Sequence, residues 1–169
     1  AGAHISPALA TDLHAMQAKA FARTGDHASA HRCMRLAEVA AARIRRDEEP
    51  AETGYVQPGL VEAHLAEALM SLGDVKPAQE YAVEAVHTQA HARGRVHRLA
   101  TLTRAEVAAG EAEQAAATAV EMVRTVQGME SRRLRDRLVS VRRSLSRAGG
   151  AAAADSVEMI DETLRVPLS

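Results

Sequence analysis

The chain has 169 residues and a formal net charge of −1 at pH 7; 37 residues are alanine, against one Phe, two Tyr, no Trp and no Asn. Leu, Ile, Val and Phe together make up just under a fifth of the chain, too little large apolar volume for a β-sandwich core, while the near-zero net charge argues against disorder. No apolar run approaches the roughly 18 residues of a membrane span and no secretory leader core is present, so the expectation is a cytoplasmic, all-α protein without a membrane partner.

Ser6-Pro7 predicts an N-cap followed by proline at the first helical position, opening a helix to about Thr24. A second helix is expected from about His27 to Arg46, with Met34, Ala37, Val39–Ala41 and Ile44 on its apolar side. The stretch Asp47–Gly54 reads as the one clear loop, and Pro58 as the start of a third helix with Val61, Leu65, Leu69 and Leu72 at helical spacing. Further helices are expected near 75–92, 95–109 and 112–127, punctuated by Gly94, Gly110 and Gly128. A seventh, Ser131 to Arg147, carries the stripe Leu134, Leu138, Val141 and Leu145. Gly149-Gly150 and four alanines read as a linker to a short last helix capped by Asp155 with Glu158 three residues on. The expected division is a helical array over 1–147 and a linker with a C-terminal helix over 148–169.

Four breaks, Gly25-Asp26, Gly73-Asp74, Gly110-Glu111 and Gly149-Gly150, lie 48, 37 and 39 residues apart. Small residues stand seven before and five after each of the first three glycines: Ala18 and Ala30, Ala66 and Ala78, Thr103 and Ala115. A third set, twelve after each glycine, is Ala37, Ala85 and Met122. Glycine ends a helix in the left-handed conformation, an acidic residue caps the next, and small residues let the two cross closely as a hairpin. Stacked hairpins then bury one continuous core, so the predicted fold is an α-solenoid of about eight helices in four antiparallel hairpins.

The pattern resembles the tetratricopeptide repeat (TPR), whose unit is about 34 residues long. The small-residue positions are kept in the first two units and partly in the third, at Thr103, Ala115 and Met122; of the large ones, Phe21 and Leu69 fit while Glu106 stands where a third apolar residue belongs. In the TPR register the concave face takes Asp12, Ala15 and Lys19 from the first unit. Leu60, Ala63 and Glu67 follow from the second, and His97, Ala100 and Arg104 from the third, with Met16, His64 and Met70 at the margin. The candidate groove is therefore Asp12, Met16, Lys19, His64, Glu67, Met70, His97 and Arg104, expected to receive a peptide, a protein or a small-molecule effector. The asparagine-based clamp that some TPR domains use for a C-terminal carboxylate is excluded, because the chain has no Asn.

Catalytic motifs are absent: there is no phosphate-binding glycine loop, nucleophile elbow, HExxH or CxxC, so no catalytic residue and no cofactor are expected. Two histidine pairs, His27/His31 and His87/His91, are spaced to bite one ion from one helix. A site needs a third ligand, which only His97 could offer the second pair, so both pairs read as surface histidines and no metal is expected. Cys33 reads as a small core residue, with a redox role only if it were exposed beside Arg32 and Arg35. The seventh helix carries seven arginines against Asp136, a local charge of +6. Without a base-reading set of side chains this reads as a solvated face, or one neutralised by Asp155, Glu158, Asp161 and Glu162 of the tail, rather than as a nucleic-acid interface. Its apolar stripe is expected to bury against the sixth helix, a homodimer seam being the alternative.

The segment from Gly59 to His87, with Ser131–Leu145, is similar to the C-terminal TPR region of actinomycete helix-turn-helix regulators. That resemblance spans Ser6 to Leu164 and assigns no site residue. It implies an array that senses a peptide or metabolite, or dimerises, and so sets the DNA-binding state of a separate domain outside this chain. The start at Ala1-Gly2-Ala3 without Met is read as that of a fragment.

Overall fold

The computed structural model describes residues 5–129 and 131–165; the outer ends of the two expected segments, 1–4 and 166–169, lie outside the described residues, as does Glu130. Eight α-helices follow in order: α1 Pro7–Arg23, α2 His27–Ala41, α3 Leu60–Leu72, α4 Val75–His87, α5 Ala92–Ala108, α6 Ala112–Val126, α7 Arg132–Ala148 and α8 Ala151–Arg165. Among the described residues there is no strand, and no helix is long and apolar enough to cross a membrane.

Each sequential pair packs as an antiparallel hairpin. Helices α1, α3, α5 and α7 touch in succession and form one layer; α2, α4 and α6 each lean on the next odd-numbered helix, and α8 packs on both α6 and α7. This is the expected solenoid-like stack. The small residues that predicted the hairpin crossings, Ala18, Ala30, Ala37, Ala66, Ala78, Ala85, Thr103 and Ala115, are all at 0 % exposure, as is the larger Met122 at the last of these positions. Where these are alanines, backbones can approach with a methyl group as the spacer, and the sparse Leu and Val fill what is left. One apolar cluster lies within α1–α4, around Met34, Leu65 and Leu69; another within α5–α8, around Leu99, Met122, Val141 and Ile160. Ala66, Ala82, Leu102 and Ala105 join them.

The local signals act as their chemistry dictates. Ser6 Oγ accepts from the Leu9 N–H at 3.3 Å, and Asp26 Oδ1 from the Ser29 N–H at 3.0 Å. Gly73 ends α3 at φ +84°, a conformation that a side chain disfavours.

Several boundaries differ from expectation. α2 stops at Ala41, where single-turn bonds from Arg43 and Ile44 to the carbonyls three residues back tighten and close it. Pro58 does not open α3; Gly59, at φ +81°, turns the chain and the helix begins at Leu60. α4 ends at His87, and Gly94 lies inside the first turn of α5, because His91 Nδ1 accepts the Gly94 N–H at 3.0 Å and caps that helix. His87 and His91 therefore share no helix, which removes the second histidine pair. The alanine run 151–154 is not a linker: it is the first turn of α8, and Asp155 sits within that helix instead of capping it. Alanine's high helix propensity needs only the two glycines as a break.

The stripe Leu134, Leu138, Val141 and Leu145 is buried within the cluster shared by α5, α6 and α8, so it offers no free seam to a second copy. Cys33 is buried in the α1–α4 cluster, as the core reading expects.

Candidate functional site

Four of the predicted groove residues meet at one place. Lys19 of α1 and Glu67 of α3 form an ion pair at 2.5 Å, both side chains 17 % exposed. Lys19 Nζ also donates to His64 Nδ1 at 3.3 Å, and that nitrogen lies 3.7 Å from Glu67 Oε2. The His64 ring is 5.6 Å from the ring of His97 on α5. Position gives the reason: all four project from the odd-numbered layer, where one turn of each helix faces the next.

The other four are dispersed. Asp12 is half-buried and accepts from the Tyr55 hydroxyl at 2.8 Å, tying α1 to the loop before α3. Met16 is 39 % exposed. Met70 packs against the apolar clusters on both sides of α3 and so serves the core. Arg104 is half-buried on α5 and contributes to the positive field at Arg137.

Arg137 of α7 is the residue that sequence reasoning left out of the groove. Its guanidinium donates to His97 Nδ1, so the neutral imidazole carries its proton on Nε2, a buried donor with no partner among the described residues. Burial, with the guanidinium beside it, pushes the His97 imidazole down to about 3; burial likewise lowers Arg137. Burial alone would raise Glu67, but the Lys19 ammonium paired with it, with the His64 imidazole alongside, holds it well below the usual carboxylate range. The cluster thus holds two fixed positive charges against one negative, with both histidines close by.

His97 and Arg137 also line a cleft of about 250 Å³ between the loop before α3, the start of α5 and α7. Its other walls include Tyr55, His91, Arg93, Arg98 and Arg133, and no carboxylate lines it among the described residues. Arg93 and Arg133 are exposed and make no ion pair among the described residues. Arg98 is occupied: it donates to the carbonyls of Ala85 and Thr88, at 3.2 and 2.7 Å, and to that of Pro58. The arginines of α7 are thereby divided. Arg142 makes a two-pronged pair with Asp161 of α8 at 2.5 and 2.9 Å, and Arg135 donates to the Leu164 carbonyl at 2.5 Å, while Arg133 and Arg137 face the cleft. The expected neutralisation by the tail holds for Asp161. The signal that could have placed Arg137 is the repeat itself, since the layer read from α1, α3 and α5 continues into α7.

Among the described residues two clusters could supply metal ligands, His64/Glu67/His97 and His27/His31/Asp74, each with its ligand atoms within 4.8 Å of one another. In the first, Lys19 and Arg137 already sit on the nitrogen and oxygen atoms that an ion would need. In the second, Asp74 supplies the third group that the spacing of His27 and His31 lacked.

The fold defines an α-helical, solenoid-like stack with a polar cluster on its odd-numbered layer and a cationic cleft beside it. The chain matches no family model, no curated protein and no solved structure.

Proposed function

We propose that this chain is a non-enzymatic, TPR-like sensor and interaction domain of a cytoplasmic transcriptional regulator, and that it takes the acidic group of a peptide or small ligand in the cleft beside α7. One observation carries the reading. Arg137, half-buried at the cleft, is answered by an imidazole rather than a carboxylate, and the Nε2–H of that imidazole has no acceptor among the described residues. Desolvation of this half-buried cation is offset only through space by Glu67, which already pairs with Lys19, so an acidic ligand relieves it. Arg93 and Arg133 at the mouth add long-range attraction and planar forks suited to a carboxylate or phosphate. Lys19, Glu67 and His64 neutralise one another and act as the brace that holds His97 in place. DNA contact is left to a separate domain.

Calorimetric titration of the chain with inorganic phosphate, citrate and a Glu-rich peptide tests this. At least one is expected to bind in low salt, with affinity falling as NaCl is raised. Arg133→Gln and Arg137→Gln are each expected to weaken it tenfold or more, whereas Met16→Ala should not. No binding of any acid in low salt, or binding indifferent to both arginine substitutions, rejects the cleft as the site.

A further inference from the structure

We infer that His27, His31 and Asp74 form a binding site for a divalent transition-metal ion of the zinc class, which bridges the first helical hairpin to the second. His27 and His31 stand one turn apart at the start of α2, with side chains on the same face. Asp74 precedes α4, in the next hairpin, and its Oδ2 is 3.2 Å from His31 Nε2. Donors bound at about 2.0–2.1 Å to a tetrahedral ion lie about 3.3 Å from each other, so this pair already has the spacing of two bound ligands. The atoms of all three residues lie within 4.8 Å of one another, a gap that side-chain rotation closes. Two imidazoles and one carboxylate leave the fourth position to water.

The repeat supplies an internal comparison. At the first two of the three hairpin junctions a side chain six residues after the glycine of one unit meets the residue following the glycine of the next. At the second junction these are Gln79 and Glu111, joined by a hydrogen bond of 2.5 Å. At the first they are His31 and Asp74. A hydrogen bond alone is served by the glutamine version; the first junction instead has an imidazole. It also places His27 where the second unit has Val75. Asp74's counterpart Asp26 caps α2 by accepting from the Ser29 N–H, whereas the residue three after Asp74 is Pro77, which has no N–H to donate, so no cap bond of that kind competes for the Asp74 carboxylate. Among the described residues no Lys or Arg is paired with any of the three, in contrast to the His64/Glu67/His97 cluster, where Lys19 and Arg137 repel an ion.

The test is a titration of the metal-free chain with zinc chloride, followed by calorimetry and by thermal melting. One ion per chain is expected, with a melting temperature that rises as zinc is added, because an ion bound only by the native state stabilises it. His27→Ala, on an exposed position, and His31→Gln, which recreates the second junction and keeps the bond to Asp74, are each expected to weaken zinc tenfold or more and abolish the shift. His87→Ala should change nothing. Absence of saturable zinc binding overturns the inference. So does binding that survives both His27→Ala and His31→Gln, or that is lost with His64→Ala instead.

Discussion

Arg98→Met is expected to destabilise the chain by about 3 kcal/mol and to lower its melting temperature by about 10 °C, read by denaturant and thermal unfolding. α1, α3, α5, α6 and α7 are each followed by a glycine at positive φ, within two residues of the helix end, but α4, like α2, has none. It stops at His87, with Thr88 extended, so the carbonyls of its last turn need another donor. The Arg98 side chain of α5, 3 % exposed, meets that need: it reaches the carbonyls of Ala85, Thr88 and Pro58 and places its charge at the negative end of α4. Methionine keeps the aliphatic stem but leaves those carbonyls without a partner. Gly59 belongs to the same knot. A Cβ there would lie 2.7 Å from the Arg98 guanidinium and 2.9 Å from the Ala85 carbonyl oxygen, on a backbone at φ +81°. Gly59→Ala should therefore also destabilise, and the double substitution by less than the sum. A loss under about 1 kcal/mol for Arg98→Met would mean that water caps α4 equally well.

Glu106→Leu is expected to do the opposite at alkaline pH: to stabilise by about 3 kcal/mol at pH 8, and by much less at pH 4. Glu106 is 1 % exposed; Thr118 donates to its Oε1 at 3.2 Å, while its buried Oε2 has no partner among the described residues. Burial pushes its pKa up to about 7 from an ordinary 4.5, against the lowering effect of that hydrogen bond. The sign follows. A carboxyl held protonated in the native state supports folding fully below pH 4.5 and loses that contribution as pH rises through 7. Units one and two carry Phe21 and Leu69 at the corresponding place, so leucine restores the apolar residue that the repeat calls for. His97 and Glu67 slope the other way: both are held down in the native state, and their contributions fade as acid protonates the unfolded chain first. The wild-type profile is therefore a dome, and its difference from Glu106→Leu isolates the alkaline limb. Parallel profiles for the two proteins would show Glu106 ionised in the native state.

The zinc and acid titrations separate the two proposed sites by residue. His31→Gln bears only on the first junction and Arg133→Gln only on the cleft, because the two lie in different hairpins.

Much of this architecture was legible from spacing alone. Ala18, Ala30 and Ala37 could be placed at a crossing before any coordinates, because a close helix pair tolerates only small side chains at fixed offsets. The glycine punctuation, the capping by Ser6 and Asp26, and the burial of Leu134 through Leu145 are equally local, settled within a few turns of one helix. So too was the inclusion of Lys19, His64, Glu67 and His97 on one layer, since the repeat register extends over three units. What tertiary structure alone decided are the meetings between units. Asp74 comes to His31 from 43 residues away, Arg137 to His97 from 40, and Arg98 to Pro58 from 40. A repeat pattern specifies which face of each helix turns inward, because burial of methyl groups sets that rotation. It does not specify which long, charged side chain finds which partner across the gap, because that depends on helix ends, loop paths and the competition for a few buried acceptors.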